Sequence, residues 1–194
     1  MQPSIDWTPK ARAVLSAASA LFYDQGIHAV GVDAIAERAG VTKKTLYDRF
    51  GSKDRLVVEY LLERDRQWRD FLQERLADAP PGADRVAAVF DAAAQWAAEH
   101  GRKGCAMVNA HAEISDPTHP AYAVVVGQKR WMLELLTELV ADTGATDPGR
   151  VAEQVLLLHE GAVVASSLGA GEDPFARAAS AADLLVAGAG LEPA

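Results

Sequence analysis

One glycine-punctuated stretch constrains this 194-residue chain more than any other. From Gly31 to Lys53 it reads GVDAIAERAGVTKKTLYDRFGSK. Val32, Ile35, Ala36 and Ala39 recur at the i, i+3, i+4, i+7 spacing that gives a short helix one apolar face. Gly40 follows as the left-handed residue that stops a helix, and Val41 can pack back into the angle so opened. Thr42 is a good N-cap for a second helix, in which Leu46 and Phe50, four apart, share a face. The spacing predicts two short helices around a tight turn, with a third starting at Lys53. The other faces of the second helix carry Lys43, Lys44, Thr45, Tyr47, Asp48 and Arg49. A helix pair whose second member is cationic and hydroxyl-bearing suits the major groove of double-stranded DNA.

The flanks extend the helical reading. Thr8-Pro9 is an N-cap followed by an N1 proline, and a helix runs from there to about Tyr23, with Gly26 past its end. Ile27, Ala29 and Val30 read as a buried connector, and Gly31 caps the next helix less well than Ser or Thr would. Leu15, Leu21, Phe22, Ile35, Leu46 and Phe50 would form one small core for a three-helix head. After the Gly51-Ser52 break, Val57, Tyr60, Leu61, Trp68, Phe71, Leu72 and Leu76 keep helical period to about Ala79, a span of roughly 40 Å. Further helices are expected at about 83–100, 104–114, 120–141, 148–168 and 174–188. Asp147-Pro148 and Asp173-Pro174 each supply a cap and an N1 proline for the last two.

The chain is thus expected to be all-α, with about nine helices. A head over 1–52 is fused to a larger helical bundle over 53–194, with no flexible linker between them. The last two helices are rich in Ala, Val, Ser and Gly, which permits close helix approach and marks a homodimer face. Net charge is −8, but residues 1–55 carry +2 and residues 56–194 carry −10. A basic head on an acidic body fits contact with phosphates through the head alone. The single cysteine, Cys105, allows no intrachain disulfide and fits a reducing cytoplasm. No signal peptide or membrane span is expected.

Residues 14–57, above all ALFYDQGIHAVGVDAIAERAGVTKKTLYDRFGSKDRLV, resemble the DNA-binding head of the TetR (tetracycline repressor) family. The shared features are Leu21-Phe22, Gly26, Val32, Ile35-Ala36, Ala39-Gly40-Val41, Thr42, Leu46-Tyr47, Phe50 and Ser52-Lys53. The resemblance implies an all-helical homodimer that reads a palindromic operator. It also implies a C-terminal regulatory domain with a small-molecule pocket, and most often a repressor released from DNA by its ligand. The chain departs from the pattern at Gly31, where Ser or Thr is common, and at Lys44, where a small residue is common.

On the second short helix, Leu46 and Phe50 point inward and Lys44, Thr45 and Asp48 lie opposite them. Lys44 and Thr45 are the base-reading candidates, since lysine pairs with guanine O6/N7 and the threonine methyl packs on thymine. Thr42, Lys43, Tyr47 and Lys53 are expected to hold phosphates. Asp48 is placed either for an i, i+4 pair with Lys44 or for cytosine.

In the body, Trp68, Trp96, Met107, Asn109, His111, Trp131 and His159 are the candidates for an apolar effector cavity with a few polar groups. The alternative is that they are plain core and the body only dimerises. Cys105 has no resolving partner in the chain for redox sensing. No metal site is expected, because His100, His111, Glu113, His119 and His159 lack HxxxH or ExxH spacing. No cofactor is expected either. Enzyme chemistry has no motif to carry it: there is no GxSxG, Walker loop or dinucleotide fingerprint, and His111 and Glu113 point apart on a helix.

Overall fold

Local sequence chemistry sets the helix ends in the computed structural model, which describes residues 5–101 and 103–190. The outermost residues of the two expected domains, 1–4 and 191–194, lie outside the described residues. Nine α-helices are described: α1 Pro9–Gln25, α2 Val32–Arg38, α3 Lys43–Phe50, α4 Lys53–Asp78, α5 Ala83–His100, α6 Ala106–Glu113, α7 Pro120–Ala141, α8 Pro148–Leu168 and α9 Pro174–Gly188. The all-α expectation holds, with the same helix order. The sixth helix starts at Ala106 rather than near 104, because Gly104 sits at φ +75°, outside helical space.

The α2–α3 turn is a Schellman closure. The Val41 N–H donates to the Ala36 carbonyl at 3.0 Å and the Gly40 N–H to the Glu37 carbonyl at 3.1 Å. Gly40 supplies the left-handed residue at φ +64°. Thr8, Thr42, Asp147 and Asp173 accept the backbone N–H of Ala11, Thr45, Arg150 and Ala176 respectively. Gly31, by contrast, caps α2 with no side-chain bond.

Compactness divides the chain into two units, and the division does not follow a cut after residue 52. The first comprises Met1–Asp65 and Ala106–Val126; the second comprises Arg66–Cys105 and Gly127–Ala194. Helix α4 supplies its first half to one and its second half to the other. In the first unit, Leu15, Leu21, Phe22, Ile35, Leu46 and Phe50 are all buried, joined by Val14, Leu56, Val57, Tyr60 and Leu61. The connector between α1 and α2 buries Ile27 and Val30, whereas Ala29 is exposed. The second unit is a bundle built on Leu72, Phe90, Met132, Leu136, Val155 and Phe175. Helix α9 packs on both α5 and α8 there, with Ala178 and Ala182 buried so that the backbones can approach.

Candidate nucleic-acid interface and effector site

Helix α3 offers its cations and hydroxyls at its N-terminal end. Thr42 Oγ1 lies 3.0 Å from Thr45 Oγ1 and accepts the Thr45 N–H at 3.1 Å, so the two hydroxyls form one polar spot at the helix start. Lys43 is bound at 3.0 Å to Asp33 of α2, which fixes its direction and partly neutralises it. Lys44 is exposed, and neither it nor Asp48 has a hydrogen-bond or ion-pair partner among the described residues. The i, i+4 Lys44–Asp48 pair therefore does not form. With both heads in water, the small gain of such a pair does not offset ordering two side chains. Tyr47 is 41% exposed, large for an aromatic on a packed head. Lys53 opens α4 behind the Ser52 cap, which accepts the Arg55 N–H at 3.0 Å, and its ammonium lies 5.9 Å from the Phe22 ring. All six predicted DNA-contacting residues thus lie on α3, its cap and the start of α4. Among the described residues, Lys43 and Arg49 of α3 are ion-paired and Lys44 is not.

The seven predicted effector residues are distributed over both compact units. Met107, Asn109 and His111 belong to the first unit, where Met107 is buried, Asn109 is exposed and the exposed His111 faces the Tyr122 ring at 5.7 Å. Trp68, Trp96, Trp131 and His159 belong to the second unit. There, Trp68 meets Trp96 edge-on at 5.5 Å and His159 at 6.3 Å. Phe71 and Phe90 extend the aromatic wall, at 5.2 Å from Trp96 and 6.1 Å from His159. Trp131 is turned instead to the Arg69 guanidinium, 4.1 Å from its ring centre. The Trp68 indole N–H donates to Met132 Sδ at 3.3 Å and is thereby satisfied.

Beside this wall is an ionic cluster. Lys129 Nζ lies 2.7 Å from Glu160 Oε1 and 3.4 Å from Cys105 Sγ, and His159 Nδ1 stands 3.5 Å from the same Glu160 oxygen. Burial opposes the Lys129 charge, but Cys105 and Glu160 outweigh it and hold the ammonium pKa above its usual value. Burial likewise pushes the Glu160 carboxyl up, yet the neighbouring His159 imidazole and the Lys129 charge prevail and bring it down to about 2.

The sequence pattern described as "Bacterial regulatory proteins, tetR family" matches residues 14–60, and "Tetracyclin repressor-like, C-terminal domain" matches residues 82–182. The second of these alone spans more than half of the chain. The chain belongs to the TetR family. Family members are DNA-binding transcription regulators and not enzymes. The crystal structure of SCO4454, a TetR-family regulator from Streptomyces coelicolor, superposes with a TM-score of 0.87 at 31% identity, covering 94% of this chain and 97% of that one. A TetR-type regulator from Streptomyces avermitilis gives 0.81 at 28% identity, covering 95% of this chain and all of that one. Among characterised relatives, the transcriptional activator FasR of Mycolicibacterium smegmatis is 29% identical over 79% of this chain and 67% of its own length.

Within this TetR-family chain, the head is readable from its motif, whereas sequence reasoning misses Gln128, Lys129, Met132 and Glu160. A signal for them exists in the sequence. Gln128 falls on the α7 face of Val125, Met132 and Leu136, so a polar side chain there had to be buried. Lys129 and Glu160 sit equally far from the turn joining α7 and α8, where antiparallel helices bring opposite charges level.

Proposed function

We propose that this regulator is a dimeric repressor that holds a palindromic operator and is released by a small apolar or amphipathic effector bound in its C-terminal half. The observation that carries dimerisation is an uncovered apolar stripe. Leu157 and Leu168 of α8 and Leu184 of α9 are 73%, 75% and 75% exposed, with Val164 between the first two. The same apolarity makes α8 long and hydrophobic enough, by composition alone, to cross a membrane. An α8–α9 pair facing its copy across a two-fold axis buries the stripe and presents two recognition helices in opposite senses, as a palindrome requires. A reader of operator DNA works where the chromosome is, and we place this one in the cytoplasm, without a membrane partner.

The relatives bear on the sign of regulation differently: FasR is named an activator, and BdcR of Escherichia coli, 32% identical over 47% of this chain, is named a repressor. Repression is our reading, because a bound dimer needs no further contact to block a promoter. Release would follow if the effector shifts the continuous helix α4 and changes the spacing of the two α3 helices, which must stay near about 34–36 Å or a multiple of it. Sedimentation of the wild type and of Leu168→Glu, paired with a promoter–reporter assay, tests the proposal. A dimer that becomes a monomer and loses both operator binding and repression supports it. A wild-type monomer, or reporter activity that rises with the protein present, overturns it.

A further inference from the structure

Two buried side chains in the second unit have polar atoms with no protein partner. Gln128 Oε1 and the imidazole nitrogens of His159 make no hydrogen bond among the described residues, and the two residues are only 5% and 6% exposed. The closest approach is His159 Nδ1 to Glu160 at 3.5 Å, long for a hydrogen bond yet enough to orient the ring. Each such orphan costs about 1–3 kcal/mol when nothing meets it.

These orphans share one site. Helices α7 and α8 are joined by the short connection 142–147 and run antiparallel, with Lys129 and Glu160 bonded level with each other. The preceding residue on each helix is turned from that bonded pair by about 100°. On antiparallel helices the two turns have opposite hands, so Gln128 and His159 emerge on the same side of the plane of the pair. Trp68 occupies that side: it is bonded to Met132, one turn on from Gln128, and its ring faces His159. The Phe90 ring also lies near His159, with ring centres 6.1 Å apart.

The chemistry of the occupant follows from what is already satisfied. Lys129 and Glu160 neutralise each other, so the site offers no free charge for an ion. The Trp68 N–H is taken by Met132. With the His159 proton on Nδ1, directed at Glu160, the fully buried atoms left over are Gln128 Oε1 and His159 Nε2, both acceptors. We infer that the effector of this protein is a neutral ring compound carrying O–H donors, of the phenol or catechol class, whose hydroxyls donate to Gln128 and His159 while its ring lies against Trp68 and Phe90. This rests on the effector-release reading above and specifies its ligand class.

Catechol, benzoate and toluene at millimolar concentration serve as probes, with isothermal titration to the wild-type dimer and to Gln128→Leu/His159→Phe. Both substitutions keep size and remove the acceptors, so the folding of the double variant is checked by circular dichroism and its melting temperature should equal or exceed that of the wild type. Catechol should bind the wild type and lose about tenfold or more in affinity in the double variant, about 1.4 kcal/mol. Toluene should bind both alike, and benzoate should bind neither tightly. The inference fails if catechol does not bind, if benzoate binds as well as catechol, or if the double variant binds catechol undiminished. A double variant that melts well below the wild type also counts against it, because the two residues are then structural. The effector-release reading is scored apart, by whether any ligand from a metabolite panel frees the operator in a mobility-shift assay.

Discussion

Glu113 Oε1 of α6 accepts the backbone N–H of Ile27 at 2.8 Å, although 86 residues separate them in the chain. The second carboxylate oxygen accepts the His28 N–H at 2.6 Å. One side chain therefore satisfies two successive amides of the α1–α2 connection, and Gly26 is needed beside it. A Cβ at Gly26 would stand 3.1 Å from the carboxylate, on a backbone at φ +94°. Helix α6 is thereby tied to the head within the first compact unit. Glu113→Ala leaves both amides without an acceptor and should lower stability by about 2 kcal/mol. In a chain of this size that is a fall of about 4–8 °C in Tm. Glu113→Gln, which keeps one acceptor oxygen, should fall about half as far. Equal Tm values for all three proteins would show that the amides are satisfied by water.

The cations on α3 should differ in what they do to DNA binding. Lys44 is exposed and faces away from Leu46 and Phe50, so Lys44→Ala should relax specificity at one or two base pairs by about 1–3 kcal/mol. Lys53→Ala and Tyr47→Phe should weaken binding to operator and random DNA alike, and Lys53→Ala should also reduce the salt slope by about one unit. Fluorescence anisotropy on both duplexes over a salt series separates the cases. An equal loss on the two duplexes for Lys44→Ala would remove it from the base-reading set.

The head is legible because its structure is written in local signals: Thr42 caps, Gly40 reverses, and Leu46 with Phe50 fills the core. These depend on neighbours within a few residues. The Lys44–Asp48 pair fails for a different reason, since solvent competition, and not spacing, decides an exposed pair. The body is harder to read. Met107 and His111 on α6 and Trp68 on α4 all have helical spacing, but sequence does not say that α6 is built into the other compact unit. Gln128 and Glu160 leave a trace in the sequence, a polar residue on an apolar face and a charge level with Lys129. That they meet at one place follows only once α7 and α8 lie side by side.

Gly31 tests the weak cap directly. It sits at the N-cap of α2 in extended backbone, φ −81°, and a Cβ added to it would meet no atom within 4 Å. Gly31→Ser should thus be free of strain, add an acceptor for an N–H of the first turn and restrict the unfolded chain. A gain of about 0.5–1 kcal/mol is expected in urea unfolding, with m unchanged. Its hydroxyl would also stand at a helix start that faces phosphate in the DNA reading, so affinity for random DNA should rise or hold. A loss of stability would show that the α1–α2 connection needs the freedom of glycine.

Glu160 predicts how stability responds to acid. Its pKa falls from 4.5 to about 2 on folding, against the effect of burial, through His159 and Lys129. A carboxyl depressed in the folded state stabilises the fold fully above its unfolded value, and that contribution is lost as pH drops through the folded value. The shift corresponds to about 3 kcal/mol at most. Lys129, whose pKa is raised, contributes in the opposite sense: its share is complete below the unfolded value of 10.5 and is lost as pH rises from there through the folded value, in the alkaline range. The stability difference between the wild type and Glu160→Gln should therefore be constant from about pH 5 to pH 8 and shrink between about pH 4.5 and pH 2. Lys129→Met should be worse than Glu160→Gln at neutral pH, because it leaves a half-buried carboxylate without its cation, and it should recover relative to wild type as Glu160 protonates. Urea titrations of the three proteins across that range measure this directly, and a difference that does not change with pH would show that Glu160 titrates as an ordinary surface carboxyl.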